Sequence, residues 1–106
     1  MAKFLGIDLG TGSVKAMLVD EAGRPVSEAS RAYPVHSPQP GYAEGLPDEW
    51  WRQTVEAVRA CCAGHAADIA GIGLSGQAHG IVPLDAAHKV LRPAILWPDV
   101  RTVKEV

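Results

Sequence analysis

Apolar residues in this chain come in short runs broken by glycine. Residues 3–9 are largely apolar, Gly10-Thr11-Gly12-Ser13 reads as a turn, and residues 14–20 run Val-Lys-Ala-Met-Leu-Val-Asp before a second turn at Glu21-Ala22-Gly23-Arg24. Two such runs joined by a glycine-rich turn predict a hairpin. Residues 25–33 continue as a third strand, with Val26, Glu28 and Ser30 set against Ser27, Ala29 and Arg31. A three-stranded meander is the simplest reading.

The pattern then changes. Pro34 to Leu46 carries three prolines together with Gly41 and Gly45, which predicts a long surface loop. Pro47 suits a first helical turn, Asp48 and Glu49 complement its dipole, and Gly64 fits the position past its end, so a helix is expected over residues 47–62. Within it Trp51, Val55, Val58 and Cys62 form an apolar stripe expected to pack, while Arg52, Glu56 and Arg59 share a wet face. Adjacent Trp50 points about 100° away from Trp51, so the pair is no stacking platform. Residues 69–75, Ile-Ala-Gly-Ile-Gly-Leu-Ser, are nearly continuously apolar, the pattern of a central parallel strand covered on both faces. After the polar loop Gly76-Gln77-Ala78-His79-Gly80, residues 81–84 and 90–91 flank a turn at Asp85-Ala86-Ala87-His88, and Ile95-Leu96-Trp97 ends another apolar segment. From Asp99, as a possible cap, the chain reads as the opening of a helix.

Composition narrows the classes. With 106 residues and 47% hydrophobic content, one core is the limit. A formal net charge of −2 with 21% charged residues argues against nucleic acid or an anionic membrane surface as partner. No apolar run reaches the length of a secretory signal or a membrane span, so a cytoplasmic protein is expected. Cys61 and Cys62 are adjacent, a spacing unsuited to an ordinary disulfide framework, and read as reduced core thiols.

Two loops carry candidate chemistry. Asp8 at a strand end is followed by Gly10, Thr11, Gly12, Ser13 and Lys15. Glycines let backbone N–H groups approach phosphate oxygens, the hydroxyls can donate, Lys15 can add charge, and Asp8 could hold Mg²⁺. Neither a P-loop nor a dinucleotide fingerprint is present. On spacing alone the simpler reading is a hairpin turn with Asp8 bonded locally. Gln77 and His79 stand just beyond a predicted parallel strand, where such sheets place ligands, and could bond a polyol. Trp97, Asp99 and Arg101 offer an aromatic face, an acceptor and a donor, although a buried Trp, a helix cap and a surface ion pair explain them equally well. His36, His65 and His88 receive no role.

Taken in order, Ile7-Asp8-Leu9-Gly10-Thr11-Gly12-Ser13-Val14-Lys15, the Trp50-Trp51 helix, Gly76-Gln77-Ala78-His79-Gly80 and Ile95-Leu96-Trp97-Pro98-Asp99-Val100-Arg101 resemble the start of the FGGY carbohydrate kinases, over essentially the whole chain. The resemblance implies an α/β fold of the actin-like, ribonuclease-H-like type, a mixed five-stranded sheet whose first hairpin faces the phosphates of ATP. It implies MgATP-dependent phosphorylation of a sugar hydroxyl, with residues 1–106 forming the N-terminal part of a sugar-binding domain and the ATPase domain lying beyond them. By position, Asp8 takes the role of the catalytic-site carboxylate near Mg²⁺ and the transferring phosphate. Gly10, Thr11, Gly12, Ser13 and Lys15 take that of the phosphate-side turn, and Gln77, Ala78, His79, Trp97 and Asp99 that of the sugar site.

Ala78-His79 matches the pair that contacts the ketose in members phosphorylating D-xylulose, where Met-His is usual. Ribulose and gluconate are the alternative sugars, while glycerol is disfavoured because the Arg-Glu pair of glycerol-phosphorylating members is absent. Pro98 and Gly45-Leu46 also depart from the family's usual Asn and Gln-Asp. The family's proton-accepting aspartate lies beyond Val106, so the 106 residues alone are expected to be inactive. An exposed sheet edge makes self-association, as a homodimer for example, an expected property. The competing readings are a non-catalytic sugar-binding or interaction module and a generic α/β domain whose glycines serve only turns.

Overall fold

In the computed structural model, residues 1–105 are described. Strands β1 (Lys3–Leu9), β2 (Ser13–Val19) and β3 (Pro25–Ala32) form the expected meander. β2 runs antiparallel to both neighbours, with Leu5 opposite Leu18 and Asp8 opposite Lys15. Two short strands, β4 (Glu44–Gly45) and β6 (Ala94–Ile95), pair with each other, and β5 (Ile69–Gly76) adds to β1 in parallel. The main sheet is therefore mixed, in the order β3-β2-β1-β5, with four strands where five were expected.

Alternation decides the two faces of this sheet. Leu5, Val14, Ala16 and Leu18 point to one side and are buried there. Helix α1 (Pro47–Cys61) covers that side over β2 and β3. Pro47 starts the helix without a side-chain cap, and Gly64, in the left-handed region at φ 79°, follows its end. On the other face Asp8, Lys15, Glu28 and Ser75 line an open, polar strip.

Several further expectations change in three dimensions. The packed stripe of α1 is Trp50, Thr54, Ala57 and Cys61, with Val58 and Cys62 beside it, whereas Trp51 is 71% exposed. The helix meets the sheet through small residues, and the one large ring on that face, Trp50, fits because Gly45 has no side chain to obstruct it. The loop from Pro34 to Leu46 is not all surface, since Ala43, Glu44 and Gly45 are buried and β4 is paired. β5 is parallel, as expected, but lies at the sheet's edge, and α1 packs over β2 and β3 instead, leaving Ile72 and Leu74 64% and 75% exposed.

The segment after Asp99 forms turns as far as Glu105 and not the start of a helix. Asp99 nonetheless caps its own turn, its Oδ1 accepting the Arg101 N–H at 2.9 Å. Cys61 and Cys62 are buried free thiols, the first held by Ser27, whose hydroxyl donates to the Cys61 carbonyl at 2.5 Å.

Candidate functional site

The end of β1 and the end of β5 lie side by side, because the parallel register places Leu9 against Gly76. The Gln77 N–H extends this ladder by one bond, to the Leu9 carbonyl at 3.0 Å. A Cβ on Gly76 would stand 3.3 Å from that same carbonyl, so glycine permits the close approach. Both motif loops therefore leave the sheet at one place.

Between them is an open cleft of about 390 Å³. Asp8, Gly10 and Thr11 line one wall, Gly76, Gln77, Ala78 and His79 another, and Trp97 stands at the rim. Residues 86 positions apart bond to each other here, since the Trp97 Nε1–H donates to the Thr11 hydroxyl at 2.9 Å. The Thr11 hydroxyl in turn donates to Gln77 Oε1 at 3.3 Å.

The glycine turn is held from below by Tyr33, which sequence reasoning did not single out. Its buried phenol reaches the carbonyls of both Gly10 and Ser13. A tyrosine just past the end of β3 gives no sequence signal of such a task, because its partners lie 23 and 20 positions away. Burial raises the Tyr33 pKa, and the nearby Asp8 carboxylate raises it further. Within the turn the Gly10 N–H is used by the Ser13 carbonyl at 2.8 Å, while those of Thr11 and Gly12 donate to no backbone carbonyl among the described residues. These two amides, with the exposed Ser13 hydroxyl, are the turn's free donors.

Asp8 is exposed at the mouth of the cleft and forms no ion pair among the described residues. No three His, Cys, Asp or Glu side chains among those residues converge into a metal cage. One carboxylate beside a turn with free amides suits Mg²⁺, which keeps most of its waters and binds through one or two carboxylates plus phosphate oxygens. Lys15 lies opposite Asp8 on the open face, and its ammonium is 3.5 Å from Glu28 of β3.

His79 holds a left-handed backbone at φ 62°, a conformation that costs a non-glycine residue about 1 kcal/mol or more. Such strain concentrates at sites where a side chain must be aimed.

Asp99 lies outside this cleft. Its carboxylate accepts from the Arg101 guanidinium at 2.6 Å and from the Ala43 N–H at 2.7 Å, and its side chain is 2% exposed. Arg101 also bonds Glu44, as does Arg92, and stacks its guanidinium 3.8 Å above the Tyr42 ring. The Arg101 hydrogen bond holds the Asp99 carboxyl far below the usual range, and the same side chain lowers the Glu44 pKa. This network ties the 41–45 segment to the 92–101 segment and so fixes the backbone that carries Trp97.

Comparison with known proteins bears on the family and the fold. Residues 3–106 match the model of the FGGY family of carbohydrate kinases, N-terminal domain. The xylulose kinase of Bacillus subtilis is 44% identical over 99% of this chain, which covers 22% of that protein. The solved xylulose kinase from Rhodospirillum rubrum superposes with a TM-score of 0.91 at 34% identity, over 97% of this chain and 22% of that one. The gluconate kinase from Lactobacillus acidophilus gives 0.87 at 28% identity, over 92% of this chain and 20% of its own. The chain thus spans about a fifth of the length of the relatives it matches. It belongs to the FGGY family of carbohydrate kinases, whose actin-like fold its mixed sheet shares.

Proposed function

We propose that these residues form the N-terminal part of the sugar-binding domain of an ATP-dependent ketose kinase, and that D-xylulose, giving D-xylulose 5-phosphate, is its preferred substrate. The observation that carries this reading is the shared cleft: a turn with free amides and a carboxylate forms one wall, and a strained histidine with a carboxamide forms the other. A phosphate donor and a polyol acceptor need such adjacency, because phosphoryl transfer is chiefly positioning and charge stabilisation. The family contains gluconate-phosphorylating members as well, and the relatives named xylulose kinase favour the ketose.

In this reading the amides of Thr11 and Gly12 and the hydroxyl of Ser13 bind phosphate oxygens. Asp8 holds Mg²⁺, which when bound offsets charge on the phosphates. His79 and Gln77 bond sugar hydroxyls, and the Trp97 ring covers sugar C–H groups. Asp8 is the one carboxylate lining the cleft among the described residues, and in this reading it is engaged with Mg²⁺ and is not the group that accepts the sugar hydroxyl proton.

The test is turnover by a full-length protein containing this chain, offered MgATP with D-xylulose, D-ribulose or D-gluconate. The expected result is highest kcat/KM for D-xylulose, with Asp8→Ala and His79→Ala each lowering it at least a hundredfold. Wild-type activity in both variants, or no turnover of any of the three sugars, would overturn the reading.

A further inference from the structure

Three polar groups in the cleft form a directed chain. An indole N–H can only donate, so the Thr11 oxygen, 2.9 Å from Trp97 Nε1, is the acceptor there. The threonine proton is then left to donate, and Gln77 Oε1 at 3.3 Å receives it. With its oxygen turned to Thr11, the carboxamide keeps its NH₂ group unbonded, since Gln77 Nε2 makes no hydrogen bond among the described residues. The Gln77 backbone is already fastened to Leu9, so the side-chain torsions are the freedom that remains, and Thr11 removes it.

We infer that Thr11 is a positioning residue whose hydroxyl, set by Trp97, orients the Gln77 carboxamide so that its NH₂ faces the cleft. That end of the site selects a ligand atom able to accept a hydrogen bond, such as the carbonyl or a hydroxyl oxygen of an open-chain ketose. The inference rests on the proposed sugar-kinase reading for the identity of the ligand, but the chain of hydrogen bonds itself does not. It separates two tasks in one residue. The Thr11 backbone amide serves the phosphate-side turn, and its side chain serves the sugar side.

Two measurements test this. In the full-length kinase, Thr11→Val keeps the shape and removes the hydroxyl. KM for the ketose is expected to rise about tenfold, the scale of one lost neutral hydrogen bond, with ATP KM within twofold and kcat little changed. Thr11→Ser restores the ketose KM to within about twofold of wild type, as one retained hydroxyl requires. A rise confined to ATP KM identifies the hydroxyl as a phosphate ligand and overturns the inference, as does an unchanged ketose KM in Thr11→Val.

The second measurement needs no turnover, so failure of the kinase reading leaves it intact. In the ¹⁵N-labelled protein, the Trp97 indole N–H resonance is expected to shift and exchange faster with water in Thr11→Val but not in Thr11→Ser. An indole signal indifferent to Thr11→Val overturns the relay whatever the substrate proves to be.

Discussion

The indole of Trp50 lies so close over Gly45 that a Cβ at that glycine would stand 2.5 Å from Cζ2 of the ring. One glycine in the buried β4 strand thus makes room for the largest side chain on the sheet-facing side of α1, and that ring also meets Tyr33 with centroids 6.3 Å apart. The contact joins the loop after β3, the helix and the phenol beneath the Gly10–Ser13 turn.

Gly45→Ala forces this ring or the β4 backbone to move and is expected to destabilise by about 1–3 kcal/mol, the range for overpacking a core. Trp50→Phe shortens the ring and should relieve part of that cost. Urea unfolding of the two single variants and the double variant gives the coupling energy, and strict additivity would show that the two residues do not collide.

Tyr33→Phe leaves the Gly10 and Ser13 carbonyls without their shared donor, at a cost of about 1–2 kcal/mol. The pH dependence identifies the cause. Since folding raises the Tyr33 pKa above its ordinary value of 10, its stabilisation is fully present below pH 10 and is lost as pH climbs through the folded value. The stability difference between wild type and Tyr33→Phe is therefore constant through neutrality and shrinks on strongly alkaline titration. Buried Cys62, whose thiol is also pushed up, titrates in both proteins and drops out of that difference.

At the acid end the sign reverses. Glu44 and Asp99 are held below their ordinary pKa values by Arg101, so their contribution is present above about pH 5 and is lost as pH falls through their folded values. Glu44→Gln should lower the melting temperature at pH 7 and flatten the acid limb, with the gap to wild type closing below about pH 4, under the ordinary carboxylate pKa. A gap independent of pH would mean that shape, and not charge, is what Glu44 supplies.

His79 and His88 both occupy the left-handed region, at φ 62° and 63°. His88 sits in a turn whose Asp85 carboxylate accepts the N–H groups of Ala87 and Lys89, so His88→Gly should be neutral or stabilising by up to about 1 kcal/mol. His79→Gly should behave alike in stability and yet lose sugar affinity at least tenfold, measured by titration with D-xylulose. Equal loss of stability and affinity at His79 would make its ring a structural group.

Much of the architecture is a local matter. The alternation of Val14, Ala16 and Leu18, the glycine turn after Leu9 and the Pro47 start of α1 are properties of neighbouring residues, and each element formed where its own pattern put it. Motif order carried the family, because four short motifs in register survive even when each is ambiguous alone.

What only the tertiary structure decided depends on contacts between distant positions. Trp50 and Trp51 are chemically identical and adjacent, so the sheet and Gly45 had to choose which is buried. An apolar run such as residues 69–76 reports that a strand is unfriendly to water, but its place at the edge follows from the order in which strands pair. The Glu44, Arg92, Asp99 and Arg101 network and the Trp97-Thr11-Gln77 relay join residues as far as 57 and 86 positions apart. Hydrogen bonds reach about 3 Å, so such groups cooperate only after folding has carried them together. Sequence alone determined which chemical groups the cleft could hold, and the fold decided which of them face one another.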